Sequence, residues 1–248
     1  MIVLYQFARA KTLPSFSPFC MKLECFLKLA GLDYRNAWIA DPRKGPKGKA
    51  PWIELDGERI GDSELVIDRL SERFGVDVDA GLDDAERARG RALTAMLEDR
   101  LLFIALYSRW IEPEGAEHIK RQFFASLPFP VRMAIFALMQ RKQHARLRLQ
   151  GLGLHDPAEM YGIGSSDIDA LAATLGTKPF MSGDAPRRVD CTAHAFAANL
   201  LRTPFDNPLT RRAAAHPNLV AYDRRMMQLF FPEYETDRAE GGSALDAA

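Results

Sequence analysis

The stretch SPFCMK, Ser17 to Lys22, sets a hydroxyl where a helix would begin and a thiol one turn further in. Ser17 has the form of an N-cap, and Pro18 suits the first helical position, where a missing N–H forfeits no bond. A hydroxyl so placed either caps the helix or donates to a charged group held at the positive end of the helix dipole. Cys20 also has two readings: a redox thiol, or a small apolar side chain packed against a sheet. Cys25 stands five residues on and well round the helix from Cys20, so the two do not form a working pair. A second helix start at Asp62-Ser63 offers backbone N–H groups and a hydroxyl to a carboxylate, and is equally a plain cap. His194 and Cys191 share one helical face, but two ligands without a third read as core filling, and no metal is expected. The loop DPRKGPKGKAP carries Arg43, Lys44, Lys47 and Lys49; it has neither the spacing nor the Ser or Thr of a phosphate loop and reads as a solvated basic loop.

The elements that must position these residues divide the chain in two. IVLYQF, YRNAWI and WIEL read as strands, and DGERI supplies a turn into a fourth. Between the first two, a helix runs from Ser17 to Gly31, with Phe19, Leu23, Phe26, Leu27 and Ala30 spaced to face a sheet. Another follows the fourth strand, with Ile67, Leu70 and Phe74 on one face. Beyond about residue 80 the pattern is almost wholly helical, so 1–78 and 85–232 are expected as two domains, with 233–248 a mobile tail.

Composition bounds the function. The 248 residues are 47% hydrophobic, enough for one large core or two modest ones. Thirty-three basic residues balance thirty-three acidic ones, so no global field draws the chain to nucleic acid or an anionic membrane, and partners must be argued locally. Three cysteines give no disulfide framework and point to a reducing compartment, and the N-terminal residues lack the form of a signal peptide. LPFPVRMAIFALM is interrupted by Arg132 and falls short of the ~20 apolar residues a membrane span needs. QRKQHARLRLQ reads as a solvated helical face, and a cytoplasmic protein is expected.

The strand and helix order, with a cap serine after the first strand and KAPW before the third, resembles the thioredoxin-like domain of glutathione transferases. LGTKPFMSGDAPRRVDCTAHAFAANLL resembles the turn into the buried helix of their all-helical domain. Together, YQFARAKTLPSFSPFCMKLECFLKLAGLDY and LQGLGLHDPAEMYGIGSSDIDALAATLG are similar to the failed-axon-connections group, a branch related to the metaxins. The fold this implies is an α/β thioredoxin-like N-terminal domain followed by an all-α C-terminal domain.

By that resemblance Ser17 holds the position of the catalytic serine or cysteine, and its work is to keep the thiol of glutathione ionised. Lowering a thiol pKa by two units requires roughly 2.7 kcal/mol in favour of the charged form. A helix N-terminus supplies about 0.3–1 kcal/mol and a hydroxyl donating to a charged acceptor about 1.5–3 kcal/mol, so both are needed. The resemblance makes Ala50 and Pro51, in a cis-proline turn, the contact to the cysteinyl backbone. It places Asp62 and Ser63 at the glutamyl end, with Lys49 and Phe19 as further glutathione contacts. Cys20 takes the place of the second cysteine of a glutaredoxin, but serine forms no mixed disulfide, so a dithiol cycle cannot run through Ser17. Phe103, Tyr107 and Trp110 form an aromatic stripe, with Tyr107 either lining a pocket for an apolar electrophile or filling core. Arg187 stands where the family has a capping Ser or Thr, a loss of about 1 kcal/mol unless another group substitutes. Glutathione as co-substrate, a small apolar electrophile and a homodimer are the implied partners, with no nucleic acid. The alternative is a non-catalytic binding or scaffold protein with a degenerate site.

Overall fold

The computed structural model describes residues 1–125 and 127–234. Strands β1 (Ile2–Phe7), β2 (Tyr34–Ile39), β3 (Trp52–Leu55) and β4 (Glu58–Gly61) form one sheet in the order β2-β1-β3-β4. The β1 and β2 strands run parallel, as the intervening helix requires, and the other two pairs are antiparallel. The turn into β4 is Asp56-Gly57 alone, so Glu58 to Ile60, taken in sequence as part of the turn, already belong to the strand.

Helices α1 (Pro18–Leu29) and α2 (Ser63–Phe74) cover the sheet face made by Ile2, Leu4, Ile53 and Leu55. On the opposite face Tyr5 stacks on Trp52, with ring centroids 5.1 Å apart, under the loop around Gly45. A Cβ at Gly45 would sit 2.5 Å from the Lys49 carbonyl oxygen and 2.6 Å from the Trp52 ring, so only glycine lets this loop lie down. The helical half comprises α3 (Asp84–Met96), a π-helical turn (Leu97–Leu101), α4 (Leu102–Trp110), α5 (Pro113–Phe124), α6 (Phe129–Gln150), α7 (Pro157–Leu175), α8 (Arg188–Leu201), α9 (Pro208–Ala214) and α10 (Pro217–Phe230). The hydroxyl missing at Arg187 is replaced by backbone: the Arg187 carbonyl accepts the Asp190 N–H, and the Asp190 carboxylate accepts the N–H groups of Arg187 and Met181.

The sequence periodicity gave α1 one apolar face, but both faces are buried, because α8 packs on the side away from the sheet. Leu23, Phe26 and Leu27 are fully buried as expected, while Phe19 and Ala30 lie partly exposed at the ends. Ile67 and Leu70 are buried on α2, whereas Phe74 is exposed beside the Arg73 guanidinium. Tyr234, within the expected tail, packs against the core. The remaining tail positions, 235–248, lie outside the described residues.

Two ion-pair networks follow from burying α1 on both sides. Glu24 is fully buried and accepts from both Arg9 terminal nitrogens at 2.5 Å, from Gln6 Nε2 at 2.9 Å and from Tyr34 OH at 2.8 Å. Burial pushes its carboxyl up, but the Arg9 fork with Gln6 and Tyr34 more than offsets this and holds it below the usual carboxylate range. Lys22, also buried, pairs with Glu64 of α2 and, at 2.5 Å, with Glu98 of the π-helical turn. Glu64 in turn receives Arg188 of α8 at 2.5 Å, and Arg188 reaches Asp68 at 2.6 Å. The two carboxylates respond differently. Burial raises both, but Lys22 and Arg188 together bring Glu64 below its ordinary value, while Glu98, with Lys22 alone against burial and the charge of Glu64, stays above it.

Lys22→Met strands the half-buried Glu98 without its cation and is expected to cost about 3 kcal/mol in urea unfolding, with part of the loss recovered on adding Glu98→Gln. The depressed Glu24 carboxyl stabilises the fold fully above its unfolded value of about 4.3, and this is lost as pH falls through the lower folded value. Glu24→Gln is therefore expected to be less stable by about 2 kcal/mol at neutral pH, with the gap closing on acidification in urea melts followed against pH.

Candidate functional site

Strand register sets the site. Trp52 lies opposite Tyr5 on one side and Gly61 on the other, so Pro51, Asp62 and the outgoing end of β1 all leave the same end of the sheet. Lys22 in the second turn of α1 and Glu64 in the first turn of α2 then draw the two helix starts together, bringing Ser17 and Ser63 to that end. The Ala50–Pro51 peptide is cis, and Ala50 precedes the strand, outside its ladder. Lys49 is exposed.

Ser17 is half-buried and caps α1, its hydroxyl oxygen accepting the Cys20 N–H at 3.4 Å, a long bond that uses one lone pair. Its own N–H donates to Ser15 Oγ at 3.1 Å. Cys20 is fully buried, and burial pushes its thiol up to about 11, although the hydroxyls of Ser17 and Ser15 and the Phe7 backbone all favour the thiolate. Such a thiol is inert at neutral pH, which favours the packing role. Asp62 adopts φ 84°, outside the range ordinary residues prefer, and holds it by accepting from the Glu64 and Leu65 N–H groups at 3.1 and 3.4 Å. The Asp62 carboxylate therefore caps its own helix. Ser63 is buried, and its hydroxyl has no partner among the described residues.

Two residues missed in the sequence hold the Ser17 loop from below. Arg109 of α4 is buried and donates to the Phe16 carbonyl at 2.7 Å and to Asn199 Oδ1 at 2.8 Å, while Asn199 Nδ2 of α8 donates to the Ser15 carbonyl at 3.2 Å. Among the described residues no carboxylate pairs with Arg109, and burial draws its pKa down to about 10. A cation satisfied by carbonyls one residue from Ser17 adds a favourable field for an anion at the helix start. The available signal was an arginine within the otherwise apolar LLFIALYSRW.

The aromatic stripe separates. Trp110 stacks on Phe136 at 5.9 Å in a satellite core, and Tyr107 meets Tyr161 of α7 edge-on at 6.0 Å. The wall of α4 beside Pro18 is instead Leu102, Ala105, Leu106 and Arg109, closing with Phe196, Asn199 and Leu200 around a crevice of about 10 Å³, water-sized at most. A roomier crevice of about 140 Å³, between α2, α3 and the segment before α8, is lined by charged residues including Glu64, Asp79, Arg87 and Arg188. Phe19 packs, partly buried, against the main core. Among the described residues there is no cluster of metal-ligating side chains.

Comparison with known proteins bears on the family and the fold. Residues 18–115 match the glutathione S-transferase N-terminal domain, and residues 164–226 the glutathione S-transferase C-terminal domain. Failed axon connections of Drosophila melanogaster is 32% identical over 94% of this chain, which spans 59% of that protein's length. The isoprene-epoxide glutathione S-transferase of Rhodococcus sp. (strain AD45) is 27% identical over 93% of this chain and 99% of its own. Metaxin-1 of Macaca fascicularis is 27% identical over 89% of this chain and 72% of its own. Human glutathione S-transferase T1-1 shares the fold, with a TM-score of 0.59 at 15% identity over 97% of this chain and 88% of its own. The chain belongs to the glutathione S-transferase-like superfamily, in the branch that holds failed axon connections and the metaxins.

Proposed function

We propose that this protein binds glutathione at the end of the sheet where Ser17, Pro51 and Ser63 meet, ionises its thiol and conjugates it to a small apolar electrophile. The observation that carries the reading is the hydroxyl of Ser17 at the start of α1: the cap uses only a lone pair, and the neighbouring Cys20 thiol stays protonated and so places no demand on a donor, which leaves the hydroxyl proton for the sulfur of a bound ligand. The helix dipole and the buried Arg109 charge beside Phe16 add to that donor in favouring a thiolate. Ser63 offers its hydroxyl to the glutamyl carboxylate, and Ala50 its backbone to the cysteinyl residue. The thiolate then attacks the electrophilic carbon; with an epoxide the ring C–O bond breaks and the alkoxide takes a proton from water. The Rhodococcus relative, named for an epoxide, supports that class of electrophile.

A non-catalytic binding or scaffold role is the second reading. It is favoured by the crevice beside Pro18, which as it stands holds no more than a water, and by the relationship to failed axon connections and metaxin-1. Thiolate absorbance of bound glutathione separates the two. Ser17→Ala is expected to raise the bound thiol's pKa by more than one unit, for a lost hydrogen bond of about 2 kcal/mol, and to remove most turnover. Cys20→Ser is expected to leave both nearly unchanged. Turnover lost in Cys20→Ser and kept in Ser17→Ala would reverse the roles, and no thiolate signal in the wild type would favour the scaffold.

We further propose a homodimer, the commonest closed assembly, in a reducing cytoplasm that suits three buried free thiols. Light scattering at micromolar concentration is expected to give twice the chain mass of 27.8 kDa. A monomer mass would remove the dimer and leave the site intact.

A further inference from the structure

Charge that balances over the whole chain does not balance along it. From His118 to His155 there are seven basic residues, Lys120, Arg121, Arg132, Arg141, Lys142, Arg146 and Arg148, and no Asp or Glu. Within the α5–α6 hairpin these stand against Glu114 and Glu117 of α5, and Glu117 pairs with both Lys120 and Arg121, so the surplus is the five cations of α6, Arg132, Arg141, Lys142, Arg146 and Arg148.

The same hairpin exposes its apolar side chains. Of the 22 residues of α6 only Phe136 and Leu147 are buried. Phe129 is 68% exposed, and Val131, Met133 and Leu138 are 40–50% exposed, with Phe123 at the facing end of α5 also open. Polarity is divided along the helix rather than around it. Exposed positions from Phe129 to Leu138 are mainly apolar, and those from Arg141 to Arg148 mainly basic. Ten residues at about 1.5 Å each make the apolar stretch about 15 Å long, close to one leaflet of a hydrocarbon core of about 30 Å. Arg132, the one cation within it, lies along the Phe129 ring at 5.8 Å and is long enough to carry its charge toward the headgroups.

We propose that the α5–α6 hairpin docks on an anionic lipid bilayer, its Phe129 end entering the leaflet and its Arg141–Arg148 end meeting the headgroups. This is independent of the glutathione reading. Charge selects this occupant: a second copy seated α6 to α6 would bring ten like charges together, five from each chain. A nucleic acid would use the cations but gains nothing from an exposed Phe, Val, Met and Leu surface. An anionic bilayer satisfies both features.

The test is co-sedimentation of the full chain with phosphatidylcholine vesicles, with and without phosphatidylserine, at low and high salt. Binding is expected only with phosphatidylserine and is expected to fall as salt rises. Arg141→Glu with Lys142→Glu and Arg148→Glu should weaken partitioning by at least about tenfold, since each cation contributes near an anionic surface. Phe129→Ser with Met133→Ser should weaken it while leaving the salt dependence in place. All five positions are exposed, and each variant is checked for folding by a thermal melt before the assay. In a third variant, Phe129→Trp, emission should shift to the blue with phosphatidylserine vesicles alone. Equal sedimentation on the two vesicle types, no sedimentation at low salt, or full binding by the charge-reversed variant overturns the proposal. Tight binding of a duplex oligonucleotide, unaffected by Phe129→Ser and without vesicle binding, overturns it in favour of nucleic acid.

Discussion

The buried ammonium of Lys22 is the constraint on which this structure turns. It sits on a helix enclosed by the sheet on one side and by α8 on the other, where an isolated charge is not tolerated. Its two carboxylates come from different parts of the chain: Glu64 from the first turn of α2, and Glu98 from the π-helical turn at the start of the helical half. Arg188 closes the network from α8. Satisfying one cation therefore fixes α1 against α2 and the thioredoxin-like half against the helical half. The contribution is as much to geometry as to stability, since a buried ion pair of this kind often adds little net energy over an apolar replacement.

That geometry has a chemical consequence. Glu64 follows Ser63 directly, and Lys22 is little more than a turn beyond Ser17, so the network holds two helix N-termini side by side at the end of the sheet. Each presents partial positive charge and a hydroxyl, a suitable environment for a molecule carrying a carboxylate and an ionisable thiol. Arg109 and Asn199 add support by holding the Phe16 and Ser15 carbonyls, which fixes the loop carrying Ser17 from the helical side. The half of the chain that contains no sheet thus takes part in shaping a site that lies at the sheet's end.

Much of this was legible in the sequence because it depends on local rules. The strand runs, the Ser17-Pro18 helix start, the Asp62 cap and the proline before β3 are short-range signals, and the structure has each of them. The burial of Lys22 and Glu24 was not legible: polar residues between apolar ones on a helix read as solvent-facing, and only partners distant in sequence, Glu64 and Glu98 for Lys22 and Gln6, Arg9 and Tyr34 for Glu24, enclose them. Arg109 was hidden as well, since its partners, the Phe16 and Asn199 carbonyls and the Asn199 side chain, lie about 90 residues away in the sequence. Tyr107 had the spacing for a pocket or for core, and its edge-on meeting with Tyr161 of α7 is a contact that spacing along α4 does not reveal. Periodicity shows which residues share a face, and tertiary contacts decide what that face meets.

The central claim is that the two helix starts form a glutathione site, and titration calorimetry of glutathione into the wild-type protein tests it most directly. The account predicts a saturable one-site isotherm at or below millimolar concentration, since cellular glutathione could not otherwise fill the site. The absence of binding heat at millimolar glutathione, confirmed at a second temperature, would contradict it.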